Sequence, residues 1–116
     1  MILHDERRKT DVTIEPAGAR IGRDPALDIT FPDDESLVSA VHARLWREGD
    51  GSWWIQDLGS TNGTWLNGRK LAASERLRSG DRFSLGQRGP GFRVTVPGEI
   101  KRTQQGLVIA QRLTAT

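Results

Sequence analysis

Three short clusters hold most of the side chains in this sequence that can do chemistry. Ile21-Gly22-Arg23 presents a guanidinium directly after a glycine. Ser39-Ala40-Val41-His42 presents a hydroxyl and an imidazole three residues apart. Asp57-Leu58-Gly59-Ser60-Thr61-Asn62-Gly63-Thr64, followed by Asn67-Gly68, adds hydroxyls, an amide and glycine-rich backbone. An arginine fork, hydroxyl donors and backbone N–H groups in flexible loops form a set suited to holding an anion such as phosphate.

Other chemistries fit these residues less well. Ser39 and His42 invite comparison with a nucleophile and its base, but no acid is placed to orient the imidazole. Gly63 to Lys70 resembles a nucleotide-binding loop, yet Arg69 stands where lysine is needed, Lys70 stands where serine or threonine is needed, and no helix follows. Asn62-Gly63-Thr64 fits a glycosylation acceptor, but no secretory signal accompanies it. There are no cysteines, and His4 and His42 lie too far apart for metal-ligand spacing. The expectation is a binding protein with no catalytic residue, no metal and no cofactor.

The elements that must position these clusters read as strands. Val12 and Ile14 alternate with Asp11, Thr13 and Glu15, and Phe92, Val94 and Val96 alternate with Arg93 and Thr95. Period-two alternation suits half-buried antiparallel strands. Turn signals separate the runs, among them Pro16-Ala17-Gly18, Gly49-Asp50-Gly51 and Ser79-Gly80-Asp81. Asn67-Gly68 is the pair expected of a tight hairpin with two left-handed residues. Strands are expected near 1–7, 10–15, 18–22, 28–31, 43–48, 52–57, 64–66, 69–71, 82–86 and 91–96. Many short strands without a long amphipathic helix predict an all-β sandwich or barrel. After Pro97-Gly98 the chain turns polar, then briefly apolar at Leu107-Val108-Ile109. Residues 98–116 read as an extension or linker, with an extra edge strand at 107–111 as the alternative.

Size and charge narrow the function. The 116 residues are enough to bury a core without disulfide or metal staples. No apolar run approaches the length of a membrane span, so direct membrane insertion of this fragment is not expected and a cytoplasmic setting is. The formal net charge is only +2, with both signs interspersed. That balance argues against a nucleic-acid binder dependent on counterion release. The four tryptophans are expected to pack in or at the edge of the sandwich rather than to stack bases.

The order G-R, S-x-x-H and D-L-G-S-T-N-G-T-x-x-N-G resembles the signature of the forkhead-associated (FHA) domain family. The motif spans residues 22–68, and the strand pattern extends the likeness to about 1–97. The resemblance implies an FHA-type β-sandwich of two antiparallel sheets with ligand-binding loops at one end. It also implies a function: binding a phosphothreonine-containing protein or peptide downstream of a Ser/Thr protein kinase. Arg23, Ser39, Thr61 and Asn62 would touch the phosphopeptide: the first three at the phosphate, Asn62 at the peptide backbone. His42 would brace the loop that presents the serine, and Gly22, Gly63, Thr64, Asn67 and Gly68 would serve as scaffold. Ala40 departs from the Asn or Arg that many members carry after the motif serine, and Leu37-Val38 makes that loop more apolar. A phosphate-independent docking or self-association module on the same fold is the alternative reading.

Overall fold

The computed structural model describes residues 1–103 and 106–109, with side chains through Glu99. Two sheets face each other. The six-stranded sheet is built from β1 (Ile2–Asp5), β2 (Thr10–Thr13), β7 (Thr64–Leu66), β8 (Arg69–Lys70), β10 (Arg82–Leu85) and β11 (Gly91–Thr95), in the order β2-β1-β11-β10-β7-β8. The five-stranded sheet contains β3 (Ala19–Gly22), β4 (Ile29–Thr30), β5 (Ala43–Arg47), β6 (Trp53–Asp57) and β9 (Glu75–Leu77), in the order β4-β3-β5-β6-β9. The all-β sandwich expected from the sequence is therefore present. The pairing of β3 with β4 is parallel, an exception to the antiparallel pattern.

Alternation along each strand sends one set of side chains inward. From the six-stranded sheet, Leu3 faces Val94 across the β1–β11 ladder, and Phe83 lies between Leu66 and Phe92. From the other sheet come Ile21, Leu45, Ile55 and Leu77; all nine side chains are buried. Phe83 and Phe92 stack with centroids 5.1 Å apart, and Phe31 meets Phe92 edge-on at 6.2 Å. Burial of each such large apolar side chain stabilises the fold by about 1.5–3 kcal/mol, so the sandwich holds without covalent staples. Trp53 is in the core, while Trp46, Trp54 and Trp65 are half-buried with their indole N–H groups bonded to Glu48, Ser52 and the Asn62 carbonyl.

One strand departs from the sequence expectation, and two more lie in the C-terminal segment. Strand β9 falls where none was expected; it has a single inward apolar residue, Leu77, and is defined by its pairing with β6. Near the C-terminus, β12 (Ile100–Thr103) and β13 (Gly106–Ile109) pair as a two-stranded sheet of their own. The alternative edge strand at 107–111 runs past β13 into residues outside those described.

Strand direction decides where the polar clusters land. β3 ends at Gly22, β5 begins at Ala43, β6 ends at Asp57 and β7 begins at Thr64. Because β3–β5 and β5–β6 are antiparallel, the loops at 23–42 and 58–63 leave the same end of the sandwich. The Asn67-Gly68 turn lies at the other end of β7. There Asn67 and Gly68 have φ of 50° and 83°, the left-handed pair this hairpin requires.

Candidate functional site

Glycine at position 22 lets two loops close on each other. A Cβ there would stand 2.1 Å from the Ala40 carbonyl oxygen, so only glycine permits this approach. Beyond it the chain segments bond edge to edge: the Arg23 N–H donates to the Ser39 carbonyl at 3.1 Å, and the Asp24 N–H to the Ala40 carbonyl at 3.0 Å. The Arg23 side chain fastens the same loop from the other side. Its Nε donates to the Val38 carbonyl at 2.5 Å and its Nη1 to the Asp33 carbonyl at 3.1 Å. Among the described residues Nη2 has no protein partner, so that amino group remains available for a ligand.

Ser39 is gripped by its backbone, which leaves the hydroxyl proton free. Its N–H donates to His42 Nδ1 at 3.0 Å, and its Oγ accepts the Thr61 N–H at 3.0 Å. An oxygen that accepts from an amide still has its own proton to donate to another acceptor. Thr61 itself is exposed, and Asn62 is half-buried with Nδ2 donating to the Leu37 carbonyl at 3.3 Å.

His42 is wholly buried, and both its ring nitrogens are committed. Nδ1 accepts from Ser39, so the proton sits on Nε2 and is donated to the Gly63 carbonyl at 2.9 Å. Burial holds its pKa below the usual histidine value; the Gly63 bond and the Asp57 charge only partly offset that effect. The imidazole is thus neutral, and no lone pair is left to take a proton from the Ser39 hydroxyl. A nucleophile–base pair is not formed.

Asp57 ties the third cluster together. Its carboxylate accepts from the Gly59 and Ser60 N–H groups at 3.0 Å each, from Ser60 Oγ, and from Thr64 Oγ1 at 2.7 Å. Burial alone would raise its pKa, but these hydrogen bonds and the nearby His42 hold it below the usual carboxylate value. Gly63 follows with φ of 78°, its α-carbon covered by the stem of Lys70.

The structure thus brings Gly22, Arg23, Ser39, His42, Thr61, Asn62, Gly63 and Thr64 together at one end. Asn67 and Gly68 stand apart: Asn67 Oδ1 accepts from the Arg82 N–H and its Nδ2 donates to Asp81, both at 3.0 Å. Asp57 was quoted in the sequence motif but given no role there. The D-x-x-S spacing of a side-chain-to-backbone turn was the signal for it. Ala40 is exposed and contributes only its carbonyl to the loop pairing.

The FHA domain family model matches residues 19–86. Protein FraH of Nostoc sp. (strain PCC 7120) is 43% identical over 65 residues, covering 54% of this chain and 22% of that protein. FHA domain-containing protein FhaB of Mycobacterium tuberculosis is 34% identical over 76 residues, covering 66% of this chain and 47% of that protein. The chain therefore spans less than half the length of these relatives. The solved structure of Mycobacterium tuberculosis EmbR in complex with a low-affinity phosphopeptide superposes with a TM-score of 0.70 at 26% identity, covering 79% of this chain and 23% of that one. The match of the family model to more than half of the residues, on a sandwich whose loops gather the same motif, places this chain in the FHA domain family.

Proposed function

We propose that this chain is a phosphothreonine-peptide-binding module that mediates phosphorylation-dependent protein–protein interaction in Ser/Thr-kinase signalling. The observation that carries the reading is the Ser39 hydroxyl, which accepts the Thr61 N–H and keeps its own proton to donate, on the loop fastened by Arg23, whose Nη2 has no protein partner among the described residues. Arg23 supplies charge, Ser39 and Thr61 supply hydroxyl donors to the phosphate, and Asn62 holds the peptide backbone. The loops bind; they have no free base for catalysis. The EmbR structure, solved with a phosphopeptide, supports the same use of this fold.

The energetics are adequate. A micromolar ligand requires about 8 kcal/mol, and hydrogen bonds to a charged group contribute about 1.5–3 kcal/mol each. Three such bonds at a phosphate supply roughly half or more of the total, although such terms are not additive. The ligand is then a segment of a partner protein phosphorylated by a Ser/Thr kinase, in a cytoplasmic setting.

The test is a calorimetric or polarisation titration with a degenerate phosphothreonine peptide library and its unphosphorylated twin. The phosphorylated pool is expected to bind at least about a hundredfold more tightly, near 2.7 kcal/mol, and Arg23→Ala to abolish the difference. Equal binding of both pools would overturn the proposal.

A further inference from the structure

The outer face of the five-stranded sheet carries a second set of recognition side chains, away from the loops. Strand register aligns them in two rows. Arg20 stands opposite Arg44, and Arg44 opposite Gln56; one row further on, Trp46 stands opposite Trp54, and Trp54 opposite Arg76. The three arginines are exposed and the two indoles half-buried. No carboxylate lies on these strands at the outward positions of the two rows. Among the described residues Arg20, Arg44 and Arg76 form no ion pair. Tryptophan and arginine are the residue types most enriched where protein interfaces concentrate their binding energy.

The face is pre-organised. The Arg44 guanidinium lies 4.2 Å over the Trp46 ring, and its Nε donates to Gln56 Oε1 at 2.8 Å. Its two terminal amino groups are left for an acceptor. Between Arg20, Arg44 and Trp46 opens a recess of about 260 Å³, which Asp28 also lines with its carboxylate bonded to the Arg20 N–H.

We infer that this face docks an acidic, partly apolar segment of a partner protein, independently of phosphate. Charge complementarity sets the occupant: the three arginines meet carboxylates while the indoles cover the apolar side chains between them. A nucleic-acid strand suits the face less well. The Trp46 ring is already covered by Arg44 and so is closed to a base on that side. The Trp46–Trp54 pair sits one residue from the end of the β5–β6 ladder farther from the loops, so both sites can be filled at once.

The experiment is a titration of the protein with a short unphosphorylated peptide of alternating glutamate and leucine, followed by tryptophan fluorescence and amide NMR shifts. Saturable binding is expected, with shifts on β5 and β6. Arg44→Glu, or independently Arg76→Glu, weakens it by about tenfold or more, while phosphothreonine-peptide affinity is unchanged in both. No saturable binding, shifts centred on Ser39 and Thr61, or equal binding by the variants would overturn the inference. So would oligothymidylate binding that Arg44→Glu abolishes, which would make the face a nucleic-acid site. Concentration-dependent self-association of the protein alone, abolished by Arg44→Glu, would overturn it in favour of a second copy of this chain. Because the readouts lie on different surfaces, failure here and failure of the phosphopeptide proposal are separable.

Discussion

The buried imidazole of His42 and the backbone carbonyl of Gly63 stand 2.9 Å apart, and through that bond the loop after β3 and the loop before β7 hold each other in place. The other ring nitrogen accepts from Ser39, so one neutral side chain spans the distance between two ligand loops. His42→Ala leaves a cavity and an unpartnered Ser39 N–H. The expected loss is about 2–4 kcal/mol of folding stability, accompanied by loss of phosphopeptide binding, measured by urea unfolding and by titration. A variant as stable as the parent would remove the bracing role.

Ser39→Ala separates the two functions of one oxygen. The hydroxyl accepts from Thr61 and still has a proton to give. Its removal costs about 1 kcal/mol of stability and at least about tenfold in phosphopeptide affinity. An affinity change no larger than the stability change would show that Ser39 only shapes the loop.

Asn67→Ala should behave in the opposite way. Asn67 occupies a left-handed conformation and ties the turn to Asp81 and Arg82 at the end of the sandwich away from the loops. The variant loses about 1–3 kcal/mol of stability with phosphopeptide affinity unchanged in the folded fraction. Weakened binding by fully folded protein would contradict the separation of the two ends.

Acid should destabilise the free protein in two steps. The folded pKa of His42 is lowered, so below the usual histidine value the unfolded chain takes up a proton that the native ring refuses. Stability is complete above about pH 6.5 and falls as pH drops toward the native pKa. Asp57 is also lowered, and its contribution, present above the usual carboxylate value, is lost as pH falls through its native pKa. Denaturant midpoints measured from neutral to acid pH check both steps, and His42→Gln should flatten the upper one. Phosphopeptide affinity declines over the upper range as well, since the phosphate loses its second charge near a pKa of about 6.

Much of this was legible in the residues because side chains carry the signal. The Phe92-Val94 alternation gave an inward row, Asn67-Gly68 gave its turn, and Gly22-Arg23 with Ser39 marked the loops. What stayed hidden depends on backbone atoms or on pairing. Arg23 is fixed by the Val38 and Asp33 carbonyls, and His42 by an amide and a carbonyl; every residue has such groups, so nothing in the letters singles them out. Strand β9 was missed for a related reason. Glu75-Arg76-Leu77 has too few apolar positions to show a period, and its partner strand supplies the order.

The Gly63 carbonyl has one more consequence. It accepts the Gly86 N–H at 2.7 Å as well as the His42 proton, so the anion loop is anchored from both sheets before any ligand arrives. A mouth anchored in this way needs no loop closure to assemble it. Residence time is then set by the breaking of the contacts themselves, and affinity differences among peptides should appear in dissociation rates more than in association rates. On the phosphothreonine reading proposed above, a bound ligand would be shielded only for as long as those contacts last, and competing phosphatases would gain access each time they break.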